Sequence, residues 1–380
     1  MNTSNSYKVC QRCLSDTNDF KIVFNEKGIC NYCEDYFIEK EKSYYVDRGG
    51  DNLFLEIVNE IKSHSKGKYD CILGLSGGVD SSYLAYKLKE YDLNILAVHV
   101  DAGWNTEISV SNIKKVLDYT QFDLETIVLE WDEIRRLQLA CLEAGIMNQD
   151  IVQDHAFFSS LYRFAKEQNI SYVLNGSNLQ TEGVKGYFGH NNMDSRYLKD
   201  IFNKHGKVKI QHYPYMGFFE YYFLIPFIHK IKIIKPFHYL EYNKMEAERI
   251  LNKEIGYTSY KYKHGESVWT RFFQDMYLPK KFNYDKRKAH LSSQIFSNQL
   301  TREVAIKQLS EEPYDMDLFE YDVSYISRKL EIDREKFLSL LEPSGLDPNH
   351  FKTNDFKYLA MKKIQIFLQK ILNLNISNYS

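Results

Sequence analysis

Tyr69-Asp-Cys-Ile-Leu-Gly-Leu75 runs directly into Ser76-Gly-Gly-Val-Asp-Ser-Ser82 and then Tyr83–Lys89. The first stretch is a short apolar run of the kind that forms a buried strand, and the last has helical patterning. Between them lies a glycine turn, so the order is strand, turn, helix, the context in which a helix N-terminus receives phosphate. Gly77 and Gly78 remove side chains that would block close backbone approach, and Ser76, Ser81 and Ser82 can add hydroxyl donors. Asp80 would repel phosphate directly, so its expected part is to hold Mg²⁺ against the phosphates or to cap the turn. No Gly-Lys-Ser/Thr follows, so this is not a Walker loop.

Further apolar runs follow at Leu93–Val100, Glu125–Leu129 and Ser171–Asn175, separated by helical stretches at 109–118, 132–144 and 155–167. Alternation of this kind predicts an α/β fold, a parallel sheet covered by helices on both faces. Ligands then gather at the carboxyl ends of the strands. His99, Val100 and Asp101 occupy one such end and could frame an adenine. His99 is read either as a base or as a buried ring backing that edge. Gly176-Ser-Asn178 and Glu182 occupy another, with Asn178 and Glu182 as candidate ligands.

Ahead of this domain stand Cys10-x-x-Cys13 and Cys30-x-x-Cys33. Two such pairs can place four thiolates round one tetrahedral ion, a closed and structural zinc site. An iron–sulfur cluster uses the same ligands and stays open as the alternative. Of the six cysteines, Cys71 and Cys141 stand alone, and Cys71 reads as core. Domain boundaries are expected at 1–45 for the cysteine module, 46–240 for the nucleotide domain and 241–380 for a mainly helical remainder.

The 380 residues carry a formal net charge of -2, which gives no electrostatic case for nucleic acid. The 30 Tyr and 24 Phe would suit a sugar or base site, although packing accounts for most of them. Residues 1–7 lack an apolar signal core, so a cytoplasmic location is expected. The greasiest stretch, Phe218–Phe237, is too charged to span a bilayer and is expected to form a buried strand pair, with no transmembrane segment. In the last third, His264, Glu266 and Arg271 precede Lys280, Lys281, Lys286, Arg287 and Lys288. These are either a solvated basic surface or a cluster that neutralises phosphate or clamps a carboxylate. Arg271 and Arg287 suit bidentate contacts, and Lys286 and Lys288 suit phosphate charge. Short helices are expected at 301–310, 323–330, 333–341 (closed by Pro343-Ser-Gly345) and 358–374.

The Ser76–Ser81 segment after its strand resembles the ATP loop of the ATP-pyrophosphatase (PP-loop) superfamily. That resemblance implies an adenine-nucleotide-hydrolase-like fold (HUP type) and cleavage of ATP to AMP and pyrophosphate. Across nearly the whole chain the sequence is similar to the N-acetyl sugar amidotransferases of the WbpG and PseA type. The carrying residues are the four cysteines, Leu75–Ser82, His99–Asn105, Asn175–Asn178, Lys263–Glu266, Thr270–Asp275, Tyr277–Pro279 and Asp285–Ser293. The resemblance implies an acetamido group on a bacterial surface-polysaccharide or nonulosonic sugar acid, free or UDP-linked, converted to an acetamidino group. Ammonia would come from a separate HisH-like glutaminase with a HisF-like subunit. ATP, Mg²⁺ and structural Zn²⁺ are the expected cofactors. Asp80, Ser76, Lys286, Arg287 and Arg271 are the expected catalytic residues, with Ser76–Ser82, His99–Asp101, Gly176 and Asn178 around the nucleotide. A tRNA-thiolating enzyme, with Cys141 as persulfide carrier, and a non-catalytic ATP-binding scaffold are the competing readings.

Overall fold

A computed structural model describes residues 6–187, 189–206, 208–343 and 350–372. Two helices, α1 (Asn31–Ser43) and α2 (Gly50–His64), precede the sheet. The apolar run before the glycine turn is β1 (Cys71–Gly74), with Cys71, Ile72 and Leu73 fully buried. There follow α3 (Val79–Leu88), β2 (Ile95–Asp101), α4 (Glu107–Thr120), β3 (Asp123–Val128), α5 (Trp131–Glu143), α6 (Ile151–Glu167), β4 (Tyr172–Leu174), α7 (Leu179–Glu182), α8 (Ser195–His205) and β5 (Lys232–Ile234). All four pairings are parallel and the strand order is β3-β2-β1-β4-β5. Leu73 pairs with Ala97 on one side and Leu174 on the other. The sequence direction reverses between β1 and β4, and an open parallel sheet binds ligands in the crevice beside such a switch point.

Both faces of the sheet are covered because its central strands are apolar on both sides. On one face Leu73, Ala97 and Leu174 pack with Phe54, Leu84, Val116 and Leu251. On the other Ile72, Val98 and Val173 meet Leu161, Tyr162 and Ala165 of α6. β3 is an edge strand and is largely exposed.

The remainder is helical: α9 (Lys244–Ile255), α10 (Val268–Phe272), α11 (Leu278–Phe282), α12 (Arg287–Phe296), α13 (Arg302–Leu309), α14 (Met316–Leu330), α15 (Arg334–Leu341) and α16 (Asp355–Leu372). α9 contributes Leu251 to the sheet core, so this half folds onto the sheet. Ser344 and Gly345 of the expected stop after α15, and residues 373–374 of the expected last helix, lie outside the described residues.

One expectation fails. Phe218–Phe237 is not a strand pair: Glu220–Ile228 winds as a wide helix containing Pro226, and only Lys232–Ile234 is a strand. Proline has no N–H for an i→i−4 ladder, and a wide turn absorbs the gap. Phe219 and Phe227 are 62% and 61% exposed, so the apolar composition does not mark a buried segment. No helix among the described residues is long and apolar enough to cross a membrane.

Candidate functional site

The glycine turn sits at the carboxyl end of β1. Gly77 has φ +81° and a Cβ there would stand 2.6 Å from the Ser109 carbonyl oxygen, so no other residue fits without displacing α4. Gly78 is the N-cap of α3 and supplies no capping side chain, leaving the first helical turn to small hydroxyls. Ser76 Oγ accepts from Gly78 N at 3.3 Å, and Ser81 Oγ accepts from Ser76 N at 3.2 Å. Ser82 Oγ is buried with no partner among the described residues. From the other half of the chain, the hydroxyls of Tyr257 and Tyr260 donate to Gly77 O at 3.2 and 2.9 Å. Tyr242 Oη donates to Asp80 Oδ1. Burial, and then the charge of Glu182, push the Asp80 carboxyl up to about 6, although Lys263 and Tyr242 oppose the rise.

The β4 end closes on this turn. A Cβ on Gly176 would lie 2.9 Å from the Asp80 carbonyl carbon and 3.0 Å from Ser81 N. Asn178 is the cap of α7, its Oδ1 accepting from Thr181 N at 2.8 Å, and it is 4% exposed. At the β2 end, His99 uses both ring nitrogens. Nδ1–H donates to Leu75 O and Nε2 accepts from Asn105 Nδ2, each at 2.9 Å. Asp101 Oδ1 accepts from Gly103 N and Asn105 Nδ2. The structure thus brings Ser76–Ser82 and Gly176 together, with Val79 packed on the sheet core. The side chains of His99, Asp101 and Asn178 brace neighbouring strand ends, and Val100 lies between two of them.

Beyond Asp80 the cleft is lined with charge. Lys263 Nζ lies 3.1 Å from Glu182 Oε1 and 2.9 Å from His290 Nδ1. His264 lies 3.4 Å from Glu266, whose carboxylate would be 3.1 Å from a Cβ on Gly78. The Glu182, Lys263, His264 and Glu266 side chains keep 20–33% exposure although protein surrounds them, the signature of cleft lining. Lys286, Asp150 and Asp154 lie close enough to feel one another's charge and that of Glu182, and continue this wall. Burial pushes Lys286 down, and it pushes both aspartates up, Asp154 to about 8 with Asp150 adding to the rise. Burial works to raise Glu182 as well, yet Lys263, then His264, hold it below its ordinary value. Thr270 Oγ1 donates to Asp150 at 3.1 Å and Asn192 Nδ2 to Asp154 at 2.6 Å.

The two arginines expected to clamp an anion do not line this wall. Arg271 forms a two-pronged pair with Asp322, 0% exposed, from 2.7 Å, and also reaches Tyr314. Arg287 is held by Asp285 at 2.8 Å and by the carbonyl oxygens of Leu309 and Glu311. An arginine fork saturated by internal acceptors fixes structure instead of a ligand. Lys281 caps the end of α15 through Leu340 O and Glu342 O, and Lys280 pairs with Glu342. Lys288 pairs with Asp16 of the cysteine module. Sequence reasoning missed Asp150 and Asp154 as wall residues, and missed the three tyrosines under the loop. Two acids four apart on one helix face were the available signal for the first; nothing local signals the second.

In the cysteine module the four Sγ atoms lie within 4.8 Å of one another, with contacts of 3.5–3.6 Å. A tetrahedron of sulfurs about 2.3 Å from a zinc-sized ion has edges just under ~4 Å, so the set fits one ion. Backbone N–H groups of Arg12, Ser15 and Cys30 point at Cys10 and Cys13 sulfurs, as thiolates require. The module docks on α12: Leu14 N donates to Ser292 Oγ at 3.0 Å, and Arg302 reaches Cys10 O and Cys13 O.

Comparison with known families matches residues 53–212 to NAD synthase and residues 266–365 to the family described as LPS biosynthesis protein WbpG-like, C-terminal domain. The parallel sheet, the glycine loop at its switch point and the first match define a PP-loop ATPase fold. Taken with the second match, they place the chain among the WbpG-like members of the PP-loop ATPase superfamily. An uncharacterized protein of Methanocaldococcus jannaschii is 28% identical over 141 residues, 36% of this chain and 45% of that one. The chain thus spans under half the length of the curated relative it matches. Among solved structures, the NH3-dependent NAD synthetase of Campylobacter jejuni has 18% identity, covering 42% of this chain and 64% of its own, with a TM-score of 0.29. The U34-tRNA thiolase NcsA of Methanococcus maripaludis, with its iron–sulfur cluster, has 17% identity, 82% and 90% coverage and a TM-score of 0.34. These structural likenesses are too distant to bear on substrate.

Proposed function

We propose that this chain is the synthetase subunit of an amidotransferase that activates the acetamido group of a sugar acid by adenylation and converts it to an acetamidino group with ammonia. The observation that carries the reading is the charged cleft running from the glycine turn to α12, since Lys286 and His290 lie within the WbpG-like match. An amide carbon resists ammonia until its oxygen becomes a leaving group. Attack of the amide oxygen on the ATP α-phosphorus releases pyrophosphate and gives an O-adenylyl imidate. Ammonia then adds at the imidate carbon, AMP leaves, and loss of a proton leaves the amidine.

In this reading the residues position and neutralise. The Ser76–Ser82 turn holds the polyphosphate, and the side chains of Lys263 and Lys286 oppose developing negative charge. Mg²⁺, where it accompanies ATP, would neutralise the phosphates, and Asp80 is the turn residue suited to it. The cysteine set suits structural Zn²⁺ and is closed to catalysis. Ammonia would arrive from a HisH-like glutaminase with a HisF-like partner, in the cytoplasm. Thiolation fits less well. Cys141 and Cys71 are 0% exposed and burial pushes both thiols up, so neither serves as a persulfide carrier.

The test mixes the protein with ATP, Mg²⁺, ammonium chloride and acetamido sugar acids. It expects AMP in step with a product lighter by the difference between oxygen and NH. AMP formed only when tRNA is added would sink the proposal.

A further inference from the structure

His290, on α12, has two ring nitrogens in unequal surroundings. Nδ1 lies 2.9 Å from Lys263 Nζ and 3.3 Å from Thr181 O. Nε2 is buried and has no hydrogen-bond partner among the described residues. A lysine ammonium, here ion-paired with Glu182, can only donate, so the shorter contact makes Nδ1 an acceptor and puts the ring proton on Nε2. Burial, and then the charge of the neighbouring Lys263 and Lys286, hold the ring well below the ordinary histidine value, so the uncharged form is favoured. The result is a buried N–H donor with nothing to donate to. Buried polar groups are almost always paired, and one left open in a cleft marks the place of a ligand atom.

The contacts trace the ligand's direction. Glu266 stands over Gly78, His264 touches Glu266, and the His264 and His290 rings meet edge to face at 5.8 Å. The His290 ring therefore stands one ring beyond the Glu266–His264 pair that meets the turn, on the helix whose N-cap is Lys286. We propose that His290 is a catalytic residue, an uncharged Nε2–H donor to a phosphoryl oxygen of the nucleotide bound at the Ser76–Ser82 turn. An uncharged donor steadies that oxygen without disturbing the Lys263–Glu182 ion pair. The proposal rests on the nucleotide reading of the turn and on nothing about the sugar.

The test uses the full chain with Mg²⁺ and α,β-methylene ATP, AMP and pyrophosphate as separate calorimetric ligands. His290→Ala should weaken binding about ten- to a hundredfold, the loss of a hydrogen bond to a charged group. His290→Gln, which can return an N–H near the same place, should recover most of it. Weakening of the two adenosine ligands alone would assign the oxygen to the α-phosphate, and weakening of pyrophosphate would assign it to the leaving group. In ¹⁵N-histidine NMR of the unmutated protein, His290 should show a protonated Nε2 that does not titrate where free histidine does, and an Nε2–H proton that moves when the nucleotide is added. A proton on Nδ1, or folded His290→Ala with undiminished affinity for all three ligands, would overturn the assignment. Unmutated protein that binds none of them would overturn the nucleotide reading beneath it.

Discussion

Arg271→Leu separates a structural arginine from a catalytic one. The Asp322 carboxylate it meets is 0% exposed, and Arg271 itself is 13% exposed. Two guanidinium nitrogens and the Tyr314 hydroxyl converge on that carboxylate. Removing the cation leaves a buried charge with one neutral donor, which costs about 3–5 kcal/mol. Removing both partners in Arg271→Leu/Asp322→Leu deletes the stranded charge, and buried pairs replaced by apolar residues are often neutral. The double variant should then recover to within about 1–2 kcal/mol of the parent, apart from the unpaired Tyr314 hydroxyl. Urea unfolding read by tryptophan fluorescence is the assay, since Trp269 shares α10 and the same core cluster. Calorimetry with Mg²⁺ and α,β-methylene ATP on the folded single variant should show affinity close to the parent. The reasoning is refuted if Arg271→Leu keeps full stability and loses nucleotide affinity, because the guanidinium would then serve the phosphates.

Gly77→Ala must place a Cβ 2.6 Å from a backbone oxygen at φ +81°. It should cost about 1–3 kcal/mol and abolish detectable nucleotide binding, whereas Gly217→Ala, with nothing within 4 Å, should do neither. Asp154 has its carboxyl raised to about 8 in the folded state against 3.8 ordinarily. Its folded-state preference for the proton is present in full below the lower value and lost as pH rises through the upper one. Asp154→Asn should therefore gain melting temperature relative to the parent between about pH 4 and 8 and hold a constant advantage above it; an advantage that shrinks with pH would refute the burial argument. Metal analysis should find one ion per chain, lost in Cys10→Ser, with cobalt giving tetrahedral absorption bands. Because Leu14, Asp16 and Arg302 tie that module to α12 and its flank, ion loss should also weaken nucleotide binding; unchanged affinity in the ion-free folded chain would uncouple the two.

The sheet and the glycine turn were legible because each depends on neighbours in sequence. Continuous apolar runs make central strands, and a glycine pair between strand and helix makes a phosphate turn. Charge is different. A row such as Lys286-Arg287-Lys288 shows how much charge is available but not which anion consumes it. Arg287 is spent on its neighbour Asp285, Lys288 on Asp16 some 270 residues away, and only Lys286 is turned to the cleft wall. Arg271 is spent on Asp322, and Tyr257 and Tyr260 reach back to Gly77 O, all partners that no local pattern reveals. The same limit explains His290, whose surroundings depend on a lysine 27 residues earlier. α12 is where these separations meet. Ser292 holds the cysteine module and Ser293 holds Val184 beyond α7, while His290 turns toward Lys263 and Glu182. α12 is pinned on one side by the cysteine module and sets His290 beside Lys263 on the other, so it joins the amino-terminal fold to the carboxy-terminal side of the cleft. That joint gives a four-cysteine set able to hold an ion a reason to sit beside the cleft.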